Sequence, residues 1–143
     1  MATALLEIVG IYFDKTIDIP DDGVENVLAL MDLAKEQYPG FDYSLQSSGS
    51  MASIEYTHPE DFTSRSGKQR PAGVYKIGED RNDPGNPVAW QYYLNEKRDG
   101  RRKSRTSGGD FKLPGASEKV DPDNEVIWRC VRIIIRTPDD LVG

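Results

Sequence analysis

For proton-transfer and thiol chemistry the chain offers one histidine, His58, and one cysteine, Cys130. An imidazole is the usual general base when a nucleophile lies within reach. His58 opens the polar run His-Pro-Glu-Asp with no such partner beside it and reads as a structural or solvated side chain. Cys130 lies inside EVIWRCVRIIIR, where apolar surroundings disfavour the thiolate, so it reads as an inert core or sheet-face cysteine. A lone cysteine excludes an internal disulfide, and a lone histidine leaves no partner for a His-based metal site or a Cys/His pair. Acidic residues cluster at Asp21 and Asp22, at Glu79, Asp80 and Asp83, and at Asp121, Asp123 and Glu125. A hard cation needs about six oxygen ligands in a shaped loop, and none of these clusters has the EF-hand spacing with its central glycine. A helix cap, a turn and a hairpin corner account for them in that order, so no metal and no cofactor are expected.

Two features have more character. Residues 97–105, KRDGRRKSR, carry six basic side chains against one acid. Six cations so close together must be solvated or must face an anion. The first reading is a flexible, solvated loop that aids solubility; the second makes Arg101, Arg102, Lys103 and Arg105 candidates for docking an acidic protein or peptide. Nucleic acid is disfavoured, because no aromatics are interleaved to stack on bases and the rest of the chain is acidic. The second feature is the aromatic group Trp90, Tyr92, Tyr93 and Trp128. Alternation along a strand puts Trp90 and Tyr92 on one face and Tyr93 on the other. Most of these rings read as core. The alternative is an open sheet face on which Tyr93 or Trp128, with Asn95 and Arg129, receives a ligand or an extended peptide, rigid rings supplying area and arginine a directed donor fork.

The elements that must position these residues follow from periodicity. LLEIVGIYF, residues 5–13, is apolar on both alternating sets and predicts a strand covered on both faces. A polar break at Asp14 and Lys15 precedes Thr16 to Ile19, which predicts a hairpin ending at Pro20. Val24, Val27, Leu28, Met31, Ala34 and Tyr38 recur at helical spacing, with Asp22 placed as N-cap, Glu25 as its capping-box partner, and Pro39 and Gly40 as the stop. Alternation in Phe41 to Leu45, in 51–56 and in 73–77 predicts short strands, separated by a polar segment from Thr57 to Ala72. A turn-rich loop, 78–87, leads into a strand at Val88 to Asn95, and 96–115 reads as a basic, glycine-rich loop without periodicity. Glu125 to Arg136, rich in β-branched residues, predicts a central strand, followed by a polar tail at 137–143.

The chain has 143 residues, a formal net charge of −6, 37% hydrophobic and 29% charged residues. That is enough to bury a sizeable core and is unlike a disordered or fibrous composition. The basic window is near +5, so the remainder is near −11, which disfavours non-specific association with nucleic acid or anionic membrane. No run approaches the roughly 18 apolar residues of a membrane span, and the N-terminal apolar run follows no basic region. A cytoplasmic location is expected.

Hairpin, one amphipathic helix and further strands is the opening of a β-grasp fold. AWQYYLN at 89–95 and DNEVIWRCVRI at 123–133 resemble the paired signatures of the transcobalamin C-terminal-like β-grasp domains, in which a V-x-x-V-L helix (here Val24 to Leu28) precedes them. Residues 5–50 and 88–135 follow this plan, and 57–87 reads as an insertion. The resemblance implies a binding domain.

The expectation is thus one α+β domain over 1–143, a β-grasp-like mixed sheet packed on one main helix with long loops. Its expected role is non-catalytic recognition of a protein or peptide partner, or a small ligand, by Trp90, Tyr92, Tyr93, Asn95, Trp128 and Arg129 on the sheet face and by the basic loop. A small cofactor-independent isomerase or cyclase with an apolar cavity is the alternative, and phosphate or nucleic-acid binding by the basic loop a third. No membrane partner is expected.

Overall fold

The computed structural model describes residues 2–47, 51–78, 88–94 and 119–132. Strand β1 (Ala2–Ile8) pairs antiparallel with β2 (Phe13–Ile19), with Ile8 opposite Phe13. The hairpin thus turns at residues 9–12, earlier than the polar break expected at Asp14 and Lys15, both of which lie within β2. Two left-handed residues reverse the chain there, Gly10 at φ 98° and Tyr12 at φ 60°. Glycine adopts that region freely. A Cβ on Gly10 would also push aside the tip of the Ile77 side chain, whose Cδ1 it would approach to 2.5 Å.

Helix α1 (Val27–Gln37) buries Val27, Leu30, Met31 and Ala34. Its N-cap is Asn26, whose Oδ1 accepts from the Ala29 N–H at 2.8 Å, and not Asp22. The helix begins late because Val24, on the expected stripe, is held elsewhere. It exchanges two backbone hydrogen bonds with Val120, at 2.9 and 3.0 Å, and so ties the helix entry to the segment before the last strand. Tyr38 closes the helix, and the chain turns at Gly40.

The strands that follow are β3 (Phe41–Leu45), β4 (Met51–His58), β5 (Phe62–Thr63), β6 (Gln69–Arg70), β7 (Gly73–Gly78), β8 (Val88–Leu94) and β9 (Glu125–Arg132). The expected strands at 41–45, 51–56 and 73–77 are present, the last two reaching His58 and Gly78, and that at 88–95 is present over Val88–Leu94, residue 95 lying outside the described residues. The polar segment 57–72 is more ordered than expected, since β5 and β6 form a short hairpin within it. Of the expected final strand, residues 133–136 lie outside the described residues, as do the 96–115 loop and the 137–143 tail.

A four-stranded mixed sheet has the order β2-β1-β9-β8, with β9 parallel to β1 and antiparallel to β8. The expected central position of the last strand is observed. A three-stranded antiparallel sheet, β3-β4-β7, stands beside it. One apolar cluster joins both sheets to the helix. Phe13 is its hinge, with ring centroids 4.6 Å from Phe41, 4.9 Å from Tyr56 and 5.6 Å from Tyr38. Truncating such a ring to alanine costs about 3–5 kcal/mol. Among the described residues no helix is long and apolar enough to cross a membrane.

Candidate functional site

The aromatic group occupies both faces of the four-stranded sheet, as alternation required, but not as an open surface. Trp90, Tyr92 and Trp128 lie within the core, at 3%, 1% and 0% exposure. Tyr92 and Trp128 pack at 5.3 Å between ring centroids, and Trp90 meets Trp128 edge-on at 6.5 Å. Tyr93 lies on the opposite face at 4% exposure, with the Arg129 guanidinium 5.7 Å from its ring centroid. Most of these rings are core, as expected, and all four are buried rather than presented on an open face. Asn95, Arg101, Arg102, Lys103 and Arg105 lie outside the described residues. Cys130 is half-buried against the core, the sheet-face position expected of it.

Of the acidic groups, Asp121 and Asp123 sit in the turn that leads into β9, braced by Asn124 Oδ1 accepting from the Asp121 N–H at 2.8 Å. Glu79, Asp80 and Asp83 lie outside the described residues. Among those described, no three His, Cys, Asp or Glu side chains are grouped to hold a metal ion.

A concavity with mostly apolar walls lies elsewhere, between the β1–β2 turn and the β5–β6 hairpin. It is an open groove of about 380 Å³ whose walls include Ile8, Val9, Tyr12, Phe13 and Phe62. Glu7, Asp14 and Arg65 supply its charge. Glu7 and Asp14 are direct cross-strand partners. Like charges so placed repel, and a cation between them relieves the cost. Arg65 provides it from the tip of the β5–β6 hairpin: its Nη2 donates to Asp14 Oδ2 and lies 3.4 Å from Glu7 Oε1. Glu7, and then desolvation acting against it and the bond to Asp14 acting with it, leaves the guanidinium still more firmly protonated than usual.

The hairpin carrying Arg65 is held locally. The Ser64 N–H donates to the Lys68 carbonyl and the Gly67 N–H to the Ser64 carbonyl, each at 2.9 Å, while Asp61 Oδ1 accepts from the Ala72 N–H at 2.8 Å. Behind the groove stands an aromatic stack. His58 lies flat on Phe62 at 3.9 Å, Phe62 meets Tyr12 at 5.4 Å, and Tyr75 touches Tyr12 and His58 edge-on at 5.5 and 5.3 Å. The Arg70 guanidinium covers Tyr12 at 5.2 Å. His58 is buried, and its Nε2–H donates to the Ile11 carbonyl at 2.9 Å, which fixes the turn and bears out the structural reading of this histidine.

Sequence reasoning missed this groove entirely. By pattern alone Glu7 belongs to an apolar strand, Asp14 to a polar break, and Phe62 and Arg65 to a polar segment. The one available signal was an arginine flanked by serines between two short alternating stretches, which does not say what the arginine touches.

Comparison with known proteins returns no matching family model, no matching curated protein and no matching solved structure.

Proposed function

We propose that the chain is a β-grasp-type binding module that recognises a protein or peptide partner without making or breaking bonds, and that the partner seats in the groove between the β1–β2 turn and the β5–β6 hairpin. The reading of the fold is supported by the strand order: the first hairpin, one helix, and a last strand lying parallel to β1 and beside it. The W-x-Y-Y strand, β8, pairs along its length with the final strand, which agrees with the resemblance to transcobalamin C-terminal-like domains.

One observation carries the functional reading. A groove walled by Val9, Tyr12 and Phe62 ends at three charged groups that already satisfy one another. Apolar walls with a few oriented polar groups are what a recognition site offers: area for affinity, and directional partners for register. The basic window is compatible with an accessory role, and its docking to an acidic partner belongs to the same proposal.

The test is selection of a random peptide library on the whole chain, followed by binding to a Thr63→Arg variant, which fills the groove from its exposed rim without touching the core. Peptides that bind the original chain and lose at least about tenfold on the variant support the reading. Peptides that bind both alike place recognition elsewhere and overturn it, and turnover of any substrate by the purified chain overturns the non-catalytic part.

A further inference from the structure

Two of the sheet edges, β2 and β7, differ in how they are covered. On β2 the outward backbone groups are already used: the Gln37 side chain donates to the Asp18 carbonyl and accepts from the Asp18 N–H, both at 2.8 Å, and the Tyr38 hydroxyl donates to the Thr16 carbonyl at 2.8 Å. A side-chain amide thus stands in for a neighbouring strand. β7 is the edge of the three-stranded sheet, and among the described residues nothing pairs with it on the side away from β4. An unprotected edge is a template for another strand.

The residues of β7 make that edge selective. Across the sheet, Asp42, Glu55 and Lys76 form one row, and Lys35 closes its far end with a 3.0 Å ion pair to Asp42. Two adjacent acids are therefore flanked by two cations, and Lys76 is the cation on the open side. Next to it on the same face, Val74 is 62% exposed, the most exposed large hydrophobic residue among those described. On the other face, Tyr75 and Ile77 continue the rows Phe41–Tyr56–Tyr75 and Tyr43–Ile54–Ile77 and stop half-buried, each with one flank still uncovered by a neighbouring strand.

We infer that β7 is a strand-addition site for an extended segment of a partner protein that runs antiparallel to it and carries an acidic residue opposite Lys76, an apolar residue opposite Tyr75 and a β-branched residue opposite Val74. Such a segment completes three rows at once: the acid extends the alternation that ends at Lys76, the apolar residue covers Tyr75, and the β-branched residue covers Val74. Backbone hydrogen bonds to β7 supply affinity, and the two outward-facing pairs supply register and direction. This site adjoins the groove through Tyr75, which touches Tyr12 and Phe62, but it uses the β7 edge and stands whether or not the groove binds a partner.

The probe is acetyl-Ser-Thr-Tyr-Glu-Ile-Val-Ser-Glu-amide, in which Glu-Ile-Val falls opposite Lys76, Tyr75 and Val74. Hydrogen exchange of the whole chain, read amide by amide, is expected to slow at alternate positions within 73–78 when the probe is added. Two further probes are N-methylated, one at Tyr and Ile and the other at Glu and Val. Only one of these sets faces β7 in an antiparallel pair, so one probe loses binding and the other keeps it. Lys76→Glu, a surface change that leaves the fold intact, weakens the original probe by about tenfold and is rescued by lysine in place of the probe's central glutamate. The inference is overturned if all amides of 73–78 are already protected in the free chain, which means its own downstream residues or a second copy cover the edge. It is equally overturned if protection appears at 62–66 instead, if both methylated probes behave alike, or if the probe does not bind.

Discussion

Glu7 and Asp14 face each other directly across the first hairpin, and a single guanidinium, that of Arg65, holds both. The hairpin is thereby clasped by a residue from a different sheet, and the groove acquires its charged end. Because Arg65 is 64% exposed while Glu7 is only 14% exposed, the clasp is a surface device on one side and a half-buried one on the other.

Arg65→Gln is expected to lower stability by only about 0.2–1 kcal/mol, as exposed ion pairs do, and by less in high salt. Asp14→Asn made in the same chain relieves the carboxylate repulsion, so the double variant loses less than the two single changes added together. A double-mutant cycle in urea at low and high salt measures this coupling. Strict additivity would show that the three groups do not act as one.

Asn26→Ala removes the acceptor that caps the helix and is expected to cost about 1 kcal/mol, whereas Asp22→Ala, exposed and outside the cap, stays within about 0.5 kcal/mol. Urea midpoints of the two variants decide which residue starts the helix.

Gln37→Ala uncovers the Asp18 backbone and reopens the β2 edge. A small loss of stability is expected together with a concentration-dependent rise in self-association, followed by light scattering. If the variant stays as monodisperse as the original chain, Gln37 is not an edge guard.

Tyr43 is held above its ordinary value of 10.0, first by burial and then by its hydroxyl's bond to Asp32. The folded chain therefore favours the neutral phenol. Its contribution is complete below about pH 10, where the unfolded tyrosine also keeps its proton, and is lost as the pH climbs through that value toward the higher folded one. Tyr56, raised chiefly by burial, acts in the same direction. Urea midpoints are expected to fall between about pH 9 and pH 11, and to fall less in Tyr43→Phe, which has no proton to lose at that position. At the acid end the sign reverses. Asp42, lowered first by its hydrogen bond to Lys35, stabilises the fold above the ordinary carboxylate range and ceases to do so as the pH drops through its folded value.

Local order was legible in the residues themselves. Alternation in Phe41 to Leu45 and Val88 to Leu94, the helical stripe ending at Pro39, and the β-branched run from Glu125 each depend on neighbours a few positions apart, and such patterns survive whatever the rest of the chain does. The opposed faces of Trp90 and Tyr93 follow from the same two-residue period.

Tertiary structure alone decided what those faces meet. Whether Trp128 is a docking ring or a core ring depends on which side of the sheet the helix covers, and no period encodes that. The helix starts at Val27 because Val24 is captured by Val120, and the His58 ring, 47 residues on, bonds the Ile11 carbonyl of the hairpin turn. Arg65 finds Asp14 across 51 residues of chain. Contacts of that separation are set by the packing of whole sheets, so the groove comes into being only when the sheets pack together.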